Sequence, residues 1–422
     1  IDPGAGNTQL LSIAPQSGSG AGGTINLTAT NISWANSASA PLILNASGVG
    51  SGDGGKIFVN LSAGNPVEIG NGTGSFKLTA QSGISSGNGG TISFTANNAN
   101  LIIDDTSIAG KPDSLLVNPQ GSDGNGGKII LSASSVSYTS DTSDTLAIDA
   151  SGVGTGDGGT VSVTQTGTIP ALNVLTPDVN IGTTGTNAVN TFQLTANAGS
   201  TGGNGGTVSF VVASAVTQSM PFPGVTLDPA GISVAPAGSG KGGTIILSAV
   251  NFIPANGAPM VIDAGVGSDS AGNGGSISIT SSSPILLGPD GFQLSANGGS
   301  SSGNGGAISV TSTSQFGGIT VEDATGLSVS ATSGSNGTIT LSGQLISSNS
   351  CCFGTPVIVA QTLNLSGFSS ASLATSVNSL TATGISSANL TIVNTGSITV
   401  GNVSLPGPAS FLLQTQPDIN GN

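Results

Sequence analysis

The sequence predicts an all-β protein built as a parallel, right-handed β-helix, with about 32 residues and three short strands per rung. Three observations carry this. First, a Gly-Gly pair recurs along the 422 residues, its second glycine falling at Gly23, Gly55, Gly90, Gly127, Gly159, Gly206, Gly243, Gly275 and Gly306, with a decayed copy at Gly337. Second, the segment after each pair alternates, and its two inward positions are apolar in every copy, from Ile25/Leu27 through Phe94 and Phe210 to Ile339/Leu341. Period-2 alternation marks strands with one buried face. Third, no amphipathic helix of useful length is visible, while 69 residues are glycine. A unit this small cannot bury its apolar face alone, so tandem copies must stack.

Each unit has the same parts. A short leading strand comes first, as in Leu42-Ile43-Leu44 or Leu146-Ala147-Ile148. A Gly-rich turn follows, with Asn or Asp before Gly-Gly at Asp53, Asn88, Asn125, Asp157, Asn204, Asn273 and Asn304. These residue types tolerate left-handed backbone, which the turn is expected to use. The central strand comes next, as in Lys56–Leu61, and then a weaker trailing strand, as in residues 66–69. Three units make a longer repeat: NASGVGSGDGG (45–55) returns as DASGVGTGDGG (149–159), and SSGNGGTISF (85–94) as SSGNGGAISV (301–310). The longest unit, between Gly159 and Gly206, predicts a bulge over 165–190.

Two regions follow. Residues 1–345 hold about ten Gly-rich rungs in three-rung super-repeats. In 346–422 the Gly-Gly corners vanish and strands crowd together at Val357–Ala360, Leu363–Leu365, Leu390–Val393, Ile398–Val400 and Phe411–Leu413. This reads as two or three tighter rungs of the same coil, as a cap, or as a small separate domain. The boundary falls in 346–355, which holds the adjacent Cys351 and Cys352. These are two small loop residues, a strained vicinal disulfide, or a cross-link to another chain; they do not define a redox compartment.

Composition removes classes of function. Charged residues are 6%, the net charge is -14, and there is no His. There is no Arg, and the basic residues are Lys56, Lys77, Lys111, Lys128 and Lys241. Imidazole general bases, Ser-His-Asp triads and His metal ligands are therefore unavailable. A phosphate-tracking nucleic-acid surface is not expected. No apolar run reaches the 18 residues of a membrane span. The chain begins at Ile1 rather than Met, with no signal peptide visible, which predicts a processed product or a segment of something longer.

Carboxylates are the remaining catalytic material. Asp104-Asp105 and Glu322-Asp323 are adjacent pairs, but neighbours in a strand point to opposite sides. Asp149 and Asp263 occupy the repeat position of Asn45, which predicts turn capping rather than an active site. Asp53 and Asp157 stand alone, with Asn273 in the third copy, so turn formation is expected over calcium binding. No catalytic, cofactor or metal residue is assigned. The outward column of the central strand is rich in Thr and Ser, for example Thr91/Ser93/Thr95 and Ser276/Ser278/Thr280, with interruptions at Phe58, Ile130 and Ile246. Such a column hydrates a sheet face without charge, serves as a contact face with another chain, or matches an ice lattice or a glycan.

Units of the form G-N-G-G-T-I-S-F, with phrases such as Leu390-Thr391-Ile392-Val393-Asn394-Thr395-Gly396-Ser397-Ile398-Thr399-Val400, resemble the passenger regions of filamentous-haemagglutinin-like proteins. The resemblance covers most of the chain. It implies a large secreted bacterial β-helix, exported through an outer-membrane pore and used for surface display, adhesion or fibre formation. It supplies no catalytic residues.

The first apolar strand, Leu10–Ile13, starts almost at once, with no polar capping segment before it. Further rungs or another chain are therefore expected over that end. Head-to-tail stacking is a heterologous contact that builds filaments. The expectation is a non-catalytic extracellular structural protein, the subunit of a cell-surface filament or adhesin stalk, associating end to end. The alternatives are a surface β-helix binding host or matrix glycan or ice, and, third, a polysaccharide-cleaving enzyme.

Overall fold

The structure is a computed structural model that describes residues 9–30, 42–62, 67–69, 76–105, 114–140, 146–166, 179–181, 192–212, 225–227, 231–236, 238–249, 252–254, 259–266, 271–314, 317–349 and 356–417. Among these residues there is no helix. The strands join one sheet in which every ladder is parallel, the pattern of a β-helix. Apart from a single bridge between Leu287 and Phe292, the strands pair with their counterparts one rung away.

Three ladders run along the coil. The central ladder is the longest. It stacks Thr24–Ala29, Lys56–Leu61, 91–96, 128–133, Thr160–Gln165, Thr207–Val212, Thr244–Ala249, Ser276–Ser281, Ala307–Ser312, Thr338–Ser342 and 362–366 without a register shift. The leading ladder runs from Gln9–Ser12 through Leu42–Asn45 and Leu146–Asp149 to Phe292–Ser295 and Leu327–Ser328. The trailing ladder includes Val67–Ile69, 100–105, 135–140, Val179–Ile181 and Val225–Leu227. Of the 165–190 segment, Val179–Ile181 lies in this ladder and Thr160–Gln165 in the central one; most of the expected bulge lies outside the described residues.

Alternation decides what faces the core. Thr160–Gln165 reads half-buried, buried, half-buried, buried along its length. Of the inward central column all are buried except Leu27, which is partly buried against the core. Leu44, Leu78, Leu115 and Leu294 enter from the leading ladder, and Leu101, Val136, Leu287 and Val321 from the trailing one. Stacked apolar columns are what hold a coil this poor in ion pairs together; each buried Leu, Ile or Phe is worth about 1.5–3 kcal/mol.

The Gly-Gly corners have a different cause from the expected one. The Asn and Asp before them do not adopt left-handed backbone; Ser387 is the one described non-glycine residue that does. Positive φ falls instead on the preceding glycine, as at Gly87, Gly124, Gly203 and Gly303. Gly-Gly is required by close approach. A Cβ on Gly54 would lie 2.1 Å from the Ala80 carbonyl oxygen of the next rung, and one on Gly55 would lie 2.1 Å from the Gly23 oxygen of the previous rung. This proximity closes each corner through a bond inside the rung: Gly55 N–H donates to Ala46 O at 2.7 Å, and Gly90 N–H to Ala80 O at 2.7 Å.

Beyond Ser342 the same ladders continue on shorter rungs. Thr338–Ser342 pairs with 362–366, and Leu345–Ser347 with 370–372. Residues Ile358–Thr395 form one nearly continuous strand run bent round the coil, not the separate strands the sequence suggests. Its last part pairs with Ser410–Gln416, and Ser379–Thr383 pairs with Thr399–Ser404.

Candidate functional site

The most regular polar feature is a ladder over the Gly-rich corners. Asp53 Oδ1 accepts from the Asn88 backbone N–H at 2.7 Å, and Asn88 Oδ1 from Asn125 N–H at 3.0 Å. Asn125 Oδ1 accepts from Asp157 N–H at 2.8 Å, Asp157 Oδ1 from Asn204 N–H at 2.6 Å, and Asn204 Oδ1 from Lys241 N–H at 2.9 Å. A second run links Asn273 to Asn304 and Asn304 to Ser335. Each side chain thus holds the corner above it. The two carboxylates, Asp53 and Asp157, are separated by two Asn rungs, or about 14 Å at 4.8 Å per rung. That exceeds the Debye length of roughly 8 Å at physiological salt, so they neither repel strongly nor converge on a cation.

Asn45, Asp149 and Asp263 share a second capping role. Asn45 Oδ1 accepts from Ser47 N–H at 2.9 Å, Asp149 Oδ1 from Ser151 N–H at 2.8 Å, and Asp263 Oδ1 from Gly265 N–H at 2.8 Å. Asn45 and Asp149 also receive the hydroxyls of Thr79 and Thr195 from the next rung, at 3.0 and 2.9 Å.

Of the adjacent acid pairs, Glu322 and Asp323 turn their carboxylates to different partners. Asp104 and Asp105 end the trailing strand opposite Thr139 and Ser140; their side chains lie outside the described residues. Asp323 Oδ1 caps its own turn, accepting from Thr325 N–H at 2.8 Å and from the Thr325 hydroxyl at 2.6 Å. Glu322 Oε2 turns away to accept from Asp290 N–H at 3.2 Å. Among the described residues no group of three or more Asp, Glu or Cys is placed to hold a metal ion. Cys351 and Cys352 lie outside the described residues.

One acid escapes sequence reasoning. Asp123 sits two residues before Asn125 in the corner and does not recur at the matching repeat position. Its Oδ1 accepts from Thr155 N–H at 2.7 Å and Thr155 Oγ1 at 2.8 Å. The backbone bond first, and the hydroxyl second, hold its carboxyl below the usual carboxylate value.

The outward side of the central ladder brings the Thr and Ser positions into three parallel columns. Phe58, Ile130 and Ile246 all fall in the middle one, in register with Ser93, Ser162, Ser209 and Ser278. At the two ends of the described coil, strands pair on one side and apolar side chains are exposed: Leu11 and Ile13 at one end, Phe411 and Leu412 at the other.

Compared with protein-family models, with characterised proteins and with solved structures, the chain matches none.

Proposed function

We propose that this protein is a non-catalytic structural element, a rigid extracellular rod that joins end to end in a cell-surface filament or adhesin stalk. The observation that carries the reading is the destination of the polar side chains. The corner Asn and Asp, the leading-strand Asn45, Asp149 and Asp263, and the pair Glu322 and Asp323 each commit an oxygen to a backbone amide of their own or a neighbouring rung. Such groups stiffen a repeat. An in-register ladder that passes through eleven central strands transmits load along its axis, because every rung is joined to the next by backbone bonds.

The resemblance to filamentous-haemagglutinin-like passenger regions supports the same reading, and with it secretion. At both described ends the strands run in one direction, so a second copy placed head to tail continues the parallel ladder. Such a contact does not close and extends into a fibre.

Negative-stain electron microscopy across a concentration series tests this. The expected result is fibres whose axial repeat matches one rod, roughly 60 Å for about thirteen rungs. Isolated short rods at every concentration would refute end-to-end assembly.

A further inference from the structure

The corner asparagines carry a reactive neighbour. Asn88, Asn125, Asn204, Asn273 and Asn304 are each followed by glycine. In such a pair the glycine nitrogen, with no side chain to shield it, can attack the carboxamide carbon of the asparagine before it. An N–Cγ bond forms, the Cγ–Nδ2 bond breaks, and the nitrogen leaves as ammonia with the glycine amide proton. The cyclic imide left behind is opened by water to aspartate or to isoaspartate, whose backbone runs one atom longer. Burial does not prevent this here, because all five asparagines are exposed.

What opposes the reaction is one residue of the next rung. Asn125 N–H donates to Asn88 Oδ1 at 3.0 Å, while Gly89 N–H donates to Asn125 O at 2.9 Å. The carboxamide and the nitrogen that would attack it are thus tied to the two ends of the same residue. The glycine cannot give up its proton, nor the carboxamide swing over the glycine nitrogen into attacking geometry, until that residue moves. The same clamp returns at the other corners. Asp157 closes Asn125, Lys241 closes Asn204, Asn304 closes Asn273 and Ser335 closes Asn304, with every bond between 2.7 and 2.9 Å. A neighbouring position in the same turn lacks it. Ser302 is exposed and precedes Gly303, whose N–H makes no hydrogen bond among the described residues. We propose that the corner Asn-Gly pairs are latent deamidation sites, each held closed by the rung above and marked irreversibly when that rung opens. Asp53 and Asp157 hold their corners through the same two bonds, so an aspartate product fits the corner. An isoaspartate, with its extra backbone atom, does not.

The test is incubation of the full chain at mildly alkaline pH, with peptide mapping by mass spectrometry, beside the variant Ser302→Asn and a sample of each unfolded in urea. The substitution places an unclamped Asn-Gly pair in the same turn as Asn304, and circular dichroism checks that the coil persists. Ser86→Asn, before Gly87, repeats the comparison on another rung, since the Gly87 N–H is likewise unbonded among the described residues. In the folded variants the introduced site is expected to deamidate at the rate it shows in urea. The five corners are expected to react at least about tenfold more slowly folded than unfolded, because attack must wait for local opening. Corners that react as fast folded as unfolded would overturn the proposal. So would introduced sites as protected as Asn304, which would assign the protection to the turn as a whole, or corners equally slow in urea, which would assign it to the sequence. Fibres or isolated rods in the microscope leave this result untouched, so it and the stalk reading can fail separately.

Discussion

The Gly-cornered coil, residues 24–342, and the tight coil, 358–416, turn the same three ladders by different means. In the first, successive central strands are 31 to 47 residues apart. Its corners are held by backbone meeting backbone, with no room for a Cβ at the Gly-Gly pair. In the second, the spacing falls to 24 residues between Thr338 and Thr362, and to 20 between Ser379 and Thr399. There a side chain takes over. Asn394 is fully buried; its Oδ1 accepts from the Thr375 hydroxyl and Val377 N–H, both at 2.9 Å, and its Nδ2 donates to the carbonyls of Val377, Thr395 and Gly396. Glycine corners tolerate length variation because the added residues fall, in sequence, between the central strand and the next leading strand, outside the corner itself. An amide hub allows none, because each of its partners must sit at a set point.

That contrast is tested most severely by adding a single methyl group. Gly158→Ala places a Cβ 2.0 Å from the Ala196 carbonyl oxygen and 2.5 Å from Gly206 N. A loss of about 3 kcal/mol or more is expected in urea unfolding, since the backbone of the next rung must move. Gly367→Ala in the tight coil meets nothing closer than Ser342 Oγ at 3.6 Å, and its φ of +68° makes the loss only about 1–2 kcal/mol. Equal losses at the two sites would end the distinction.

Asn394→Ala comes next. It orphans a buried hydroxyl and buried backbone groups, so about 2–4 kcal/mol is expected. Hydrogen exchange should accelerate around 375–396 while 91–133 keeps its protection, as nearest-neighbour coupling in a repeat array requires. Asn125→Ala is smaller, about 0.5–1 kcal/mol, because the Asp157 amide it releases is exposed and water replaces it. The smallest effect belongs to Asp123. Its carboxyl is held below its unfolded value, so its contribution is present above the ordinary carboxylate range and is lost as pH falls through the folded value. Thermal melts of Asp123→Asn and wild type should converge at acid pH and separate slightly near neutrality.

Much of the coil was legible because alternation and burial coincide. Ile57, Val59, Ile92 and Phe94 are apolar in sequence and fully buried in the fold. Turn capping by Asp149 and Asp263 followed from their equivalence to Asn45. The reason for Gly-Gly was not legible. Local backbone preference and close approach both select glycine, and only the positions of neighbouring rungs separate them. Asp123 was missed because its partner, Thr155, lies a full rung away. Gln165 shows the reverse: it occupies an inward position otherwise taken by residues such as Ala133 and Ala249, and its buried Oε1 has no protein partner. In the tight coil, short apolar phrases read as separate strands because its bends carry single glycines such as Gly367, not Gly-Gly pairs, and the strand runs on through them.

The unbroken register of the central ladder makes the rungs interchangeable parts. Ile245, Ile277 and Ile308 stand one above another in identical surroundings. Excising residues 276–306 would seat Ile308 on Ile245 with every inward column intact, shortening the rod by about 4.8 Å. A cut that does not run from one corner to another would set a glycine corner against a strand. Reach can therefore be edited in whole steps by duplication or loss of a single module, and the interior carries no record of how many there are.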